Sequence, residues 1–197
     1  SHLTEKEALI LINLMETNAI DDPQIALTPG SWLQTFGINN SIDTPIGKVK
    51  MGENQYAKLQ DKNRSAEFGM ISLTLSDPDV IFIEPSEANI EKETERPYSY
   101  VFAKTFKRGG EKLKFFTSVT VSIDGLEISV SSHIANTNNN KKKLMEFDRE
   151  YTKKTLFPNS SEMHLTEHQS DVPDLLPTQG NNVSSVGKVN ETSNAMQ

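Results

Sequence analysis

Cysteine is absent from all 197 residues. That excludes a disulfide framework, thiol catalysis and Cys-ligated zinc or iron–sulfur sites. No apolar run reaches the roughly 18 residues a membrane-spanning helix needs, and nothing resembles a secretory leader, so the sequence predicts a cytoplasmic protein that does not engage membranes. The chain opens Ser1-His2 without Met, which reads as a cloning remnant ahead of a piece of a larger protein. Patterns of the form GxxxxGK[ST], GxGxxG and GxSxG, and the EF-hand loop, are missing too, against the commonest nucleotide-binding and hydrolase folds. Apolar residues make up only 35% of the chain and aromatics 7%. So lean a composition predicts that part of the chain takes no fixed structure.

The charge that is present is unevenly placed. The formal total is −7, but the ends carry it: residues 1–47 hold six acids and one base, and residues 155–197 five acids and one base. The middle is neutral to slightly basic. An acidic average argues against indiscriminate nucleic-acid binding by the whole chain and leaves room for a local basic site.

Three segments follow from the patterning: a helical segment over 1–40, an α+β domain over 41–154, and a disordered polar tail or linker over 155–197. Thr4-Glu5-Lys6-Glu7 has the form of a capping box, and Ala8, Leu11, Leu14 and Met15 follow at helical spacing. Thr28 and Pro29 open a second helix that Gly37 closes, with Trp32, Leu33 and Phe36 as its apolar stripe. Ile46–Met51 reads as a strand, 53–62 as a helix, Asp77-Pro78 as a turn and Val80–Ile83 as a strand. The densest pattern is Tyr98–Lys107, Lys112–Ile123 and Leu126–His133, three strands joined at Arg108–Glu111 and at Asp124-Gly125. Asp-Gly between alternating strands marks a two-residue hairpin turn, because both turn positions need positive φ. After the loop 135–140 a last helix is expected, carrying Leu144, Phe147 and Tyr151. The fold class is therefore α+β. N-terminal helices cover one face of a roughly four-stranded antiparallel sheet, and one helix follows the sheet.

The Asp-Gly turn sets the register of the hairpin by pairing Ile123 with Leu126. Leu113, Phe115, Thr117, Val119 and Val121 then form a core face with Ile128 and Val130. Lys112, Lys114, Phe116, Ser118 and Thr120 form the other face, opposite Ser129, Ser131 and His133. If the Gly-Gly turn pairs Lys107 with Lys112, then Val101, Ala103, Thr105 and Lys107 join that second, polar face. Hydroxyls leave room for a ligand, lysines attract anions, and histidine exchanges protons near neutral pH, so this is a plausible phosphate-handling surface. The same pattern also suits a plain solvated face, where Ser, Thr and Lys are common. Among other clusters, His164 and His168 have helical zinc spacing, but Leu165 stands where HExxH has Glu and no third ligand is evident. Neither a metal nor a cofactor is expected. Lys141-Lys142-Lys143 opposes the helix dipole at the start of the last helix, which suits either a partner anion or a solvated charge run.

The order of these segments resembles a family. Thr44-Pro45-Ile46-Gly47-Lys48-Val49-Lys50, the run Thr74–Ile81, the strand 96–107, Val119–Ile123 with Asp124-Gly125, and Ile128–His133 together resemble the phage-associated nucleases grouped with barnase, EndoU, colicin-type tRNases and RelE. The resemblance spans about residues 44–151. It implies N-terminal helices on a four-stranded antiparallel sheet and metal-independent RNA cleavage, in which the 2′-OH attacks the adjacent phosphate. It also implies an effector or toxin module of bacterial or phage origin, with RNA (tRNA included) as substrate and an inhibitor or antitoxin protein as partner. Carried over residue by residue, His133 becomes the general acid or base. Lys48 or Lys50, and Lys107 or Lys114, stabilise the phosphorane, while Ser131 and Thr120 orient the phosphate. His133, Lys50, Ser131 and Thr120 form the catalytic set so implied; Lys48, Lys107, Lys114, Ser118 and Arg96 form the substrate-binding set. A second acid–base residue is not singled out: Glu53, Glu84 and Glu127 could each serve as a base, and Arg64, Arg96 and Arg108 are candidates for the arginine that such a nuclease pairs with its histidine. The alternative is a non-catalytic protein- or RNA-binding module of a larger phage or mobile-element protein.

Overall fold

The computed structural model describes residues 2–85, 98–109, 113–122 and 128–156. The expected tail from residue 157 on, the Asp124-Gly125 turn, and Arg96 with the loop before it lie outside them; the first two residues of that tail, Thr155 and Leu156, instead belong to a 3-10 turn that buries Leu156 in the core. Two helices start where their capping boxes stand. In α1 (Glu5–Thr17) the Thr4 N–H donates to Glu7 Oε1 at 2.9 Å and the Glu7 N–H to Thr4 Oγ1 at 3.2 Å. In α2 (Pro29–Phe36) Thr28 and Ser31 exchange the same pair of bonds, and Gly37 ends the helix at φ +68°. Each box satisfies donors that a bare helix start would leave unpaired.

Six of the described strands form one mixed sheet. Its order is β7 (Ile128–Ile134), β6 (Leu113–Ser122), β5 (Tyr98–Arg108), β4 (Val80–Pro85) and β8 (Asp148–Thr152). The short β1 (Ile20–Asp21) lies parallel to β5 at Phe106 and Lys107. Beside the sheet, β2 (Ser41–Thr44) and β3 (Gly47–Lys50) form a separate hairpin, followed by α3 (Gln55–Asp61) and α4 (Phe68–Ser76). Register between β6 and β7 is the one the Asp-Gly turn predicts: Phe116 opposes His133, Ser118 opposes Ser131 and Thr120 opposes Ser129. Between β5 and β6 the register differs by two residues from the Gly-Gly expectation, since Lys107 faces Lys114. Gly109, at φ +66°, begins a longer connection. A shift of two preserves the faces, because side chains alternate with period two.

Three expectations are corrected. First, the sheet has more than four strands, because β8 and β1 are added at its β4 side. Second, the last helix, α5 (Thr137–Glu146), ends before Phe147, and Asp148–Thr152 pair with β4. Phe147 and Tyr151 are spaced i, i+4, but Phe147 stacks edge-on against Phe82 while Tyr151 packs on the opposite face of the sheet. Third, the layers are three. One face, bearing Ile81, Tyr100, Phe102, Val119 and Val121, is covered by α2, α3, α4 and the β2–β3 hairpin through Phe36, Val49, Leu59, Phe68 and Ile71. The other, bearing Val80, Phe82, Val101, Ala103 and Phe116, is covered by α1 and α5 through Ala8, Leu11, Ile12, Met15 and Leu144. The face expected to be open is therefore the floor of a second core. Among the described residues no helix is long and apolar enough to cross a membrane.

Candidate functional site

The polar face carries its hydroxyls in rows across three strands. One row runs Thr105, Phe116, His133; the next Ala103, Ser118, Ser131; the third Val101, Thr120, Ser129. The helices above close the first two rows at their centre. Thr105 is 2% exposed and Ser118 5%, whereas Thr120 is half-buried. The α5 side of this cover is basic: Lys143 Nζ lies 5.7 Å from the Phe116 ring centroid, and Lys141 Nζ bonds Glu5 Oε2 at 2.8 Å, joining α5 to α1. That ion pair holds the Glu5 carboxyl below its usual value. Lys141 thus has its partner in α1, and Lys142 lies 3.9 Å from Glu146 of its own helix.

Of the other cations of the implied site, Lys107 and Lys114 pair in the register position next to the Thr105, Phe116, His133 row, on the same face, whereas Lys48 and Lys50 lie elsewhere. Lys48 and Lys50 flank Val49, which packs in the layer over the opposite face of the sheet. Lys48 Nζ is held at 2.6 Å by its cross-strand partner Asp43, and Lys50, opposite Ser41, is exposed. The structure therefore brings Ser118, Thr120, Ser129, Ser131 and His133 into adjacent register positions and puts Lys48 and Lys50 on the far side of the sheet. Lys107 is on β5 beside Asp21, 3.9 Å from Nζ to Oδ1, and pairs in register with Lys114.

A charged cluster that the sequence reading passed over sits at the β4 end of the sheet. Lys104, only 3% exposed, places Nζ 3.4 Å from both Asp77 Oδ2 and Asp79 Oδ1. Such distances are long for charge-assisted bonds, so the ammonium is shared between the two carboxylates. Lys153 Nζ reaches Asp77 Oδ2 at 2.8 Å. Burial pushes the Asp79 carboxyl up from its ordinary value, against the pull of Lys104, of the Thr105 N–H and of Lys153. Burial, with Asp77 and Asp79 nearby, pushes the Tyr151 phenol up to about 12.

Asp79 also has a backbone task. The edge of β5 is paired by β4 as far as Ala103 and by β1 from Phe106. In the interval, the Asp79 N–H donates to the Ala103 carbonyl at 2.9 Å, and the Thr105 N–H donates to Asp79 Oδ2 at 3.2 Å. A carboxylate thus stands in for a strand where antiparallel pairing hands over to parallel. The sequence held a signal for this: Lys104 interrupts the apolar run Tyr100–Phe106, and a lysine there needs a buried partner. Asp77 and Asp79 had been read only as parts of a turn and its flank.

Among the described residues no group of three or more His, Cys, Asp or Glu is placed to hold a metal ion. No family model, curated protein or solved structure matches this chain.

Proposed function

We propose that this chain is a metal-independent endoribonuclease domain of the toxin or effector type, acting in the cytoplasm on RNA, tRNA included. The reading rests on the resemblance set out above. The observation that carries it is the β6–β7 register, which aligns His133 and two hydroxyl pairs, Ser118 with Ser131 and Thr120 with Ser129, in three consecutive rows. β7 is the terminal strand of the sheet path and Thr120 is less covered than Ser118, so the substrate phosphate would approach from the β7 edge. In this reading His133 takes the proton of the attacking 2′-OH or supplies one to the leaving 5′-oxygen. The hydroxyls orient the phosphate, and the products carry 2′,3′-cyclic phosphates.

The test is incubation of the protein with tRNA and total RNA in excess EDTA, wild type beside His133→Ala. General acid–base catalysis contributes ~10²–10⁴-fold, so the variant should lose cleavage by that factor with an unchanged circular dichroism spectrum. Undiminished cleavage by folded His133→Ala overturns the assignment.

A second reading, a binding module without chemistry, is favoured by one observation: α1 and α5 bury Thr105, Phe116 and Ser118 in a sealed layer. It predicts RNA or protein binding without turnover.

A further inference from the structure

Between α1, α5 and the sheet lies a small cavity lined by Ile12, Met15, Phe116, Leu144, Thr105 and Asn140, with Glu16 at its wall. Its surroundings are otherwise the apolar core beneath the two helices. Asn140 is out of place there. It is 4% exposed, and no group bonds to its Oδ1 among the described residues. A buried amide oxygen left without a donor in an apolar setting is costly. Across the cavity Thr105 offers a hydroxyl, itself only 2% exposed. The space open to the centre of a water molecule is about 10 Å³, which is room for about one water and for no larger ligand.

We propose that Asn140 and Thr105 hold a single internal water that ties α5 to strand β5. Either orientation of the amide serves, since its oxygen accepts and its nitrogen donates, and the threonine hydroxyl does both. The water supplies partners that the apolar lining cannot. It makes the seam between α5 and the sheet selective for one rotation of the helix, because a turn of α5 that moved Asn140 away would strand the amide against Leu or Phe. This role does not depend on whether the domain cleaves RNA.

The experiment pairs a high-resolution crystal structure of the full chain with a double-variant cycle. Solvent density within hydrogen-bond distance of both the Asn140 amide and Thr105 Oγ1 is expected. Thermal melts of Asn140→Leu and Thr105→Val should each show a lowered midpoint, and the double variant should fall no further than the worse single one, because one water serves both. Additive losses, a raised midpoint in Asn140→Leu, or a direct Asn140–Thr105 bond with no solvent between them would overturn the proposal. Should either variant fail to fold, the wild-type density decides alone.

Discussion

The two faces of the sheet are built differently and sealed alike. Toward α2–α4 the strands present Tyr100, Phe102, Val119 and Val121, and the covering layer answers with an aromatic cluster. Trp32 and Phe36 stand 4.5 Å apart between ring centroids, and Phe68 lies 6.2 Å from Trp32. Toward α1 and α5 the strands present Ala103, Thr105, Ser118 and two large rings, Phe82 and Phe116, and the buried residues that the two helices lay over them are aliphatic. Alternation of polar and apolar residues along a strand therefore does not say which face meets water. A short hydroxyl can lie beneath a helix when an apolar stripe such as Leu11, Ile12 and Met15 is available to cover it.

That comparison can be broken most sharply at the core of the second face. If α1 is a full structural layer, Leu11→Ala costs about 2–5 kcal/mol, the range for buried leucines, and approaches the roughly 3–5 kcal/mol of Phe102→Ala on the first face. Urea denaturation of both variants measures this. A loss under about 1 kcal/mol for Leu11→Ala would make α1 peripheral. A comparable effect is expected at the join between β4 and β1. Asp79→Ala strips Lys104 of one carboxylate and the Thr105 N–H of its acceptor, a loss of about 3–5 kcal/mol by analogy with other broken buried pairs. Lys104→Met combined with Asp79→Asn should recover part of it.

A smaller effect is the pH dependence at the same residue. Burial raises the folded-state value of Asp79 above the unfolded one. Its protonated form therefore favours folding. The contribution is fully present below the ordinary aspartate range and is lost as pH rises through the folded value. Relative to Asp79→Asn, the wild type should be more stable in acid than at neutral pH, as denaturation midpoints at the two extremes would show. An opposite slope would mean that Lys104 and Lys153 outweigh burial. Smallest are the helix starts: Thr4→Ala and Thr28→Ala should each cost about 1 kcal/mol, one on each side of the sheet, read as matched shifts in melting temperature.

Local chemistry was legible in the sequence where it is self-contained. The capping box at Thr4, the helix start at Thr28 and the β6–β7 register depend on neighbours a few residues apart, and they stand as read. The face assignments survive even where the β5–β6 register moved, because it moved by two. What was not legible depends on distant partners. The segment Phe68–Ser76 is apolar on nearly every side, so periodicity offers no helix signal, and α4 was missed. Asp148–Thr152 becomes a strand because β4 has an open edge to pair with. The cover over the polar face follows from where α1 docks, and the separation of Lys48 and Lys50 from Ser118 and Thr120 from where the β2–β3 hairpin docks, and nothing within either segment states that.

The parallel contact of Ile20 and Asp21 with Phe106 and Lys107 bears on the order in which the molecule assembles. As the chain is synthesised, α1 emerges with its apolar stripe bare, and of the strands it covers only β4 precedes β5; Val101, Ala103 and Phe116 follow later. Through that interval the stripe is a target for chaperones or for another nascent chain. Closure of the second core thus waits on β5, β6 and α5, and a ribosome stalled before β5 would display a helix with most of its docking face still missing.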